Sequence, residues 1–80
     1  MEDEESAVER ELVVLWKRLL DRKDFPRGAT FVELGGDSLL ILNMMALVEE
    51  QFGVFLEPED ILGDLTVCGV SKAIVKVRGR

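Results

Sequence analysis

The chain contains no histidine and only one cysteine, Cys68, among its 80 residues. A serine nucleophile needs a base to take its proton, most often an imidazole held by a third group, and that partner is missing. The same shortages argue against a zinc site. One cysteine cannot close an internal disulfide, which fits a reducing cytoplasmic setting. No uninterrupted apolar run approaches the ~20 residues of a membrane span, and no signal-peptide pattern opens the chain. Repeats and low-complexity tracts are also lacking. The most informative shortage is of positive charge. Between residues 28 and 71 lie Glu33, Asp37, Glu49, Glu50, Glu57, Glu59, Asp60 and Asp64, with no lysine or arginine, although the whole chain carries 10 basic residues against 16 acidic ones and a net charge of −6. A nucleic-acid binder needs the opposite polarity, so that class drops out. An acidic surface suits protein partners with basic patches; the plainer account is that these acids keep a small domain in solution.

What is present is a helical pattern. Eighty residues, 48% of them hydrophobic, leave room for one domain spanning residues 1–80, which buries only about 60% of its unfolded surface. Residues 1–5 are acidic and apolar-poor and are expected to be disordered, as residues 78–80 are expected to fray. Ser6 with Glu9 fits a capping box. Val8, Leu12, Leu15 and Leu19, widened by Trp16 and Leu20, then recur at helical spacing, predicting a first helix over 6–20. The connection over 21–36 is long for a compact domain, so it is expected to pack down through Phe25, Phe31, Val32 and Leu34. A second helix is predicted over 38–52, closed by Gly53. It is apolar nearly all round, more than a single core can cover, and an over-wide apolar surface often marks a contact site. Pro58 opens a short third helix through Leu62. Thr66 caps a fourth, in which Val67, Val70, Ile74 and Val77 keep the period. There, Gly69 and Ser71 interrupt the packing pattern, and Gly69 is expected to cost about 1 kcal/mol relative to alanine. Cys68 reads as a half-buried packing residue.

At the junction of the first long connection and the second helix stands Leu34-Gly35-Gly36-Asp37-Ser38-Leu39. The glycines leave the backbone bare where another molecule can approach. Asp37 is a good N-cap, which places Ser38 in the first turn, where backbone N–H groups and the helix dipole favour a phosphate. The nucleophile-elbow pattern fails, because Gly36 and Leu40 flank the serine at the tested spacing. A phosphate-cradling loop fails for want of an adjacent lysine. Ser38 is therefore acted upon rather than acting, if it is more than the start of a capped helix. Spacing alone leaves both readings open.

The run Phe31-Val32-Glu33-Leu34-Gly35-Gly36-Asp37-Ser38-Leu39-Leu40 resembles the phosphopantetheine attachment motif of carrier proteins. Leu15-Trp16, Phe52-Gly53-Val54 and Leu65-Thr66-Val67 extend the resemblance to nearly the whole chain. The form of the motif is closer to peptidyl carrier (thiolation) domains of nonribosomal peptide synthesis than to fatty-acid carriers, which more often place an acid where Leu40 stands. The resemblance implies an all-α four-helix bundle with a short third helix and a long first loop. It implies a non-catalytic carrier bearing covalent 4′-phosphopantetheine from coenzyme A on Ser38, with Gly36, Asp37 and Leu39 completing the motif. Aminoacyl, peptidyl or related acyl groups then ride on the arm as thioesters. The implied partners are a phosphopantetheinyl transferase, an adenylating or other loading enzyme, and condensing, tailoring or releasing enzymes. Resemblance further suggests that Leu39, Met45 and Ala46 face those partners and that Leu42, Met44, Val48 and Phe52 face inward. Glu49 and Glu50 are expected to add charge to that face, and Ile61, counted with it, could line the far side of the arm together with Leu62, plain packing being an equally good account of both. No metal, nucleic acid or membrane partner is implied, and a monomer is expected. The alternatives are an acyl carrier of fatty-acid or polyketide synthesis and an unmodified acidic interaction module.

Overall fold

The computed structural model describes residues 2–80. The described residues form four helices and no strand: α1 over Glu4–Leu19, α2 over Ser38–Phe52, α3 over Pro58–Ile61 and α4 over Val67–Arg78. The expected all-α bundle with a short third helix is the observed architecture. None of these helices is long and apolar enough to cross a membrane.

α1 begins two residues before the predicted start. Asp3, not Ser6, is the N-cap: its carboxylate accepts the Ser6 N–H at 2.7 Å. That bond, with a further one from the Ser6 hydroxyl, holds the Asp3 carboxyl below its ordinary range. Aspartate caps as well as serine does, and the earlier start places Glu4 and Glu5 at the positive end of the helix. The disorder expected for residues 1–5 is therefore corrected from Asp3 onward, while Met1 lies outside the described residues. At the other terminus, Arg78 is helical and pairs with Glu4, and Arg80 lies 3.8 Å from Asp60.

Val8, Leu12, Leu15 and Trp16 are buried as the spacing predicts, together with Val13. Trp16 is the centre of the core. Its ring stacks against Phe25 with centroids 5.8 Å apart and meets Phe31 edge-on at 4.9 Å, and its indole N–H donates to Met44 Sδ at 3.0 Å. One side chain thus joins α1, the long loop and α2. Phe25, Phe31 and Leu34 anchor the loop; Val32, the fourth expected anchor, is exposed.

On α2 only Met44 and Val48 are fully buried, one turn apart on the stripe that meets the core, with Phe52 half-buried. Leu42, expected inside, is exposed. It lies two residues from Met44, and at about 100° per residue it stands on nearly the opposite side of the helix. Beyond Gly53 (φ 69°), Val54 and Leu56 alternate inward while Phe55 points out. The Asp60 carboxylate accepts the Glu57 N–H at 2.8 Å across the start of α3.

α4 shows why the expectation for Gly69 was incomplete. The Thr66 hydroxyl accepts the Gly69 N–H at 3.0 Å and itself donates to Asp64 Oδ1 at 2.8 Å. Asp64 is thereby folded over the helix start so closely that a Cβ on Gly69 would collide with its carbonyl and carboxylate. Glycine is required there, and the packing is tight. Ser71 is the opposite case: it is fully buried, and its Oγ has no hydrogen-bond partner. The two residues that interrupt the apolar pattern of α4 are therefore predicted to respond to alanine in opposite directions. Gly69→Ala should lower stability by about 1–3 kcal/mol, the usual cost of overpacking, despite alanine's better helix propensity. Ser71→Ala should raise stability by up to about 1 kcal/mol by removing an unpaired hydroxyl. Urea denaturation of the two variants checks both signs, and a more stable Gly69→Ala protein would refute the steric account.

Candidate functional site

The stretch before Ser38 is a single capped turn rather than a slack loop. The Thr30 hydroxyl accepts the Glu33 N–H at 3.1 Å, and the Glu33 carboxylate accepts the Thr30 N–H at 2.8 Å. This is a reciprocal capping box. The Thr30 N–H first, and then the Thr30 hydroxyl, hold the Glu33 carboxyl below the ordinary glutamate range. At the far end the Gly36 N–H donates to Phe31 C=O at 2.8 Å and the Gly35 N–H to Val32 C=O at 3.0 Å. Those are the paired closing bonds of a helix C-terminus, which need a left-handed residue between them. Gly35 supplies it at φ 102°. Gly36 answers a different demand: a Cβ there would enter the Phe31 ring. The two adjacent glycines of the motif are thus required for separate reasons, one conformational and one steric.

Phe31 also fixes this turn from below. Its ring is fully buried against Trp16, and its N–H donates to Leu65 C=O at 2.8 Å, tying the turn to the approach to α4. On this support Asp37 takes an extended conformation and accepts the Leu40 N–H at 2.9 Å, which starts α2 at Ser38. Ser38 is exposed in the first turn, where the leading N–H groups lie ahead of the first intrahelical bond and attract negative charge.

From Ser38 an apolar groove of ≈ 260 Å³ runs between α2 and α3, walled by Ile41, Leu42, Met45, Pro58, Ile61 and Leu62. Apart from the serine, its lining residues carry no polar side chain. Of the residues the sequence pointed to, Leu39 is 66% exposed, and Ala46, Glu49 and Glu50 are also exposed on α2. Met45 is half-buried against the core. Ile61 and Leu62 both line this groove, but Ile61, at 1% exposure, is a core residue and no part of the exposed face, whereas Leu62, at 62%, points outward beside it. Leu42, expected inward, is also 62% exposed, and it is the wall residue that sequence reasoning missed. The signal that finds it is the register set by Met44 and Val48: once those two face inward, Leu42 cannot.

Comparison with known proteins agrees with this geometry. A family model described as "phosphopantetheine attachment site" matches residues 10–74. Pyochelin synthetase PchE of Pseudomonas aeruginosa is 38% identical over 66 residues, covering 82% of this chain and 5% of that protein. A linear gramicidin synthase of Brevibacillus parabrevis is 33% identical over 70 residues, covering 88% of this chain and 1% of that protein. The chain thus spans one-twentieth or less of the length of these curated relatives. Among solved structures, PaxA T1-CDD/PaxB NDD, a non-covalent extended docking domain complex of the Pax NRPS, superposes with a TM-score of 0.80 at 27% identity, over 89% of this chain and 68% of that chain. The chain belongs to the phosphopantetheine attachment-site family, whose members bind 4′-phosphopantetheine covalently and are generally non-catalytic, and within it is similar to the peptidyl carrier domains of nonribosomal peptide synthetases.

Proposed function

We propose that Ser38 is the attachment point of 4′-phosphopantetheine and that the chain carries aminoacyl, peptidyl or related acyl groups in nonribosomal peptide or related natural-product biosynthesis. The observation that carries this reading is the exposed Ser38 at the start of α2, capped by Asp37 and set on the double-glycine turn. The site suits the group chemically. The helix start favours a phosphodiester on the serine oxygen, and the adjoining groove offers an apolar wall to a long arm. When bound, the group supplies a terminal thiol that holds acyl groups as thioesters. The chain's own residues position that arm: Gly36 and Asp37 present Ser38, and Leu39 stands beside it. A phosphopantetheinyl transferase would bring coenzyme A; the serine oxygen takes the phosphopantetheine and the nucleotide portion leaves. A cytoplasmic setting, where coenzyme A is available, fits the single unpaired cysteine.

The partner face we assign to Leu39, Leu42, Ala46 and Leu62, with Met45 at its edge and Glu49 and Glu50 providing charge. An adenylating or other loading enzyme and the condensing, tailoring or releasing enzymes would meet this surface in turn, and the half-buried thioether of Met45 suits changing contacts.

Incubation with coenzyme A, magnesium and a broad-specificity phosphopantetheinyl transferase is expected to add the mass of one phosphopantetheine to the wild type and none to Ser38→Ala. A folded alanine variant that gains the same mass would place the site elsewhere. Leu42→Glu should slow loading while changing stability by under about 0.5 kcal/mol, as exposed positions do. Ile61→Glu should unfold the domain, since a buried unpaired charge costs several kcal/mol; equal thermal melts for the two variants would contradict the assignment. Offered to competing enzymes, the phosphopantetheine-bearing chain should be charged with an amino acid or related acid by an adenylating enzyme in preference to a malonyl transferase. Mass spectrometry of the thioester reads the result, and malonyl product alone would move the chain to the fatty-acid or polyketide branch.

A further inference from the structure

Two turns of the same design face each other across the first connection. α1 ends with the Arg22 N–H on Lys17 C=O at 2.9 Å and the Asp21 N–H on Arg18 C=O at 3.4 Å, closed around Asp21 at φ 54°. The turn before Ser38 ends with the same bond pair around Gly35 at φ 102°. Glycine takes positive φ freely, whereas aspartate is strained there. The strained residue leads directly into Arg22, whose Nε–H donates to Leu34 C=O at 3.2 Å. Leu34 is the last residue before the double glycine, and carbonyls at the end of a helical turn lack intrahelical partners. One guanidinium therefore bolts the closing residue of the first turn to an end carbonyl of the second.

We propose that Arg22 is a positioning residue for Ser38, a role that rests on the attachment reading given above. Gly35 and Gly36 follow the held carbonyl at once and Ser38 comes two residues later. Glycines that are not held sample both signs of φ. By fixing the peptide that enters them, Arg22 keeps the turn in the conformation that seats Gly36 on Phe31 and presents Ser38. Arg22 touches neither the serine nor the modifying enzyme's reaction. Its loss lowers only the fraction of molecules in the presenting conformation, and that fraction enters the apparent affinity of the transferase for the carrier, not the rate once bound.

The test compares wild type, Arg22→Ala and Arg22→Lys by two independent readouts. Amide hydrogen exchange at Gly35 and Gly36 should be about fivefold faster in Arg22→Ala, the change that one hydrogen bond controls. Exchange at Leu12 and Ile74 in the core should be unchanged, and Arg22→Lys, which keeps a charged donor, should recover part of the protection. With a phosphopantetheinyl transferase, the KM for the Arg22→Ala carrier should rise, with kcat unchanged, by the factor by which the presenting fraction falls, to at most about fivefold. Unchanged exchange at both glycines overturns the proposal, as does faster exchange with an unmoved KM. A fall in kcat alone, or loss of protection across the core, would assign Arg22 an ordinary stabilising role instead. Failure of the unsubstituted chain to be modified at Ser38 would sink the attachment reading, and the positioning role with it. Modification at Ser38 that ignores Arg22 removes only the latter.

Discussion

The packing of Trp16 is the interaction on which the rest of the molecule depends. A domain of this length has a total stability of only about 4–12 kcal/mol. Each aromatic pair contributes about 0.5–1.5 kcal/mol beyond the area it buries, and Trp16 makes two. Its indole N–H is fully buried and would cost about 1–3 kcal/mol if unpaired; Met44 Sδ accepts it, so α2 is held by the same residue that holds the loop. Truncating this one side chain would therefore release the first connection and α2 together.

From Trp16 the constraint passes to the site through Phe31. The ring that packs on the indole also lies beneath Gly36, its carbonyl closes the turn, and its N–H reaches Leu65. A serine offered for modification must be exposed, and exposed loops are ordinarily the mobile parts of a fold. Here the side chain is exposed while the backbone leading to it is tied to the core at several points. Core and site are therefore not separable, and a cavity left beneath Gly36 would loosen the presentation of Ser38 as well as the fold.

Much of this was legible in the sequence because local rules and tertiary packing agree. The Asp37 cap, the Gly53 stop, the Pro58 start and the Thr66 cap all stand where propensity placed them. The errors share a cause. At the start of α1 the capping-box spacing of Ser6 and Glu9 drew the helix start inward, and Asp3, an equally good cap, was passed over among residues expected to fray. On α2, a helix apolar on nearly every side, Leu42 was turned inward together with Met44 although the two stand about 200° apart, because no polar face marked the outside. Gly69 was read through its propensity, which does not describe the Asp64 carboxylate and carbonyl lying over it. The reason for two glycines before the serine was hidden as well, because the steric demand on Gly36 comes from a ring five residues earlier.

The exposure of Leu39, Leu42 and Leu62 is itself informative in so small a domain. Burying a leucine side chain contributes about 1.5–3 kcal/mol, an appreciable part of the total stability, yet the fold leaves three of them outside near Ser38. Polar residues at these positions would have cost the core nothing. Apolar contact acts only at short range, and the exposed Glu49 and Glu50 on the same helix add a field that salt screens over about 8–10 Å. For a carrier that must meet several enzymes and leave each one, this division is advantageous: charge raises the rate of encounter, while a patch of a few leucines is too small to hold a partner for long. The leucines that add nothing to the core are the ones the proposed function requires.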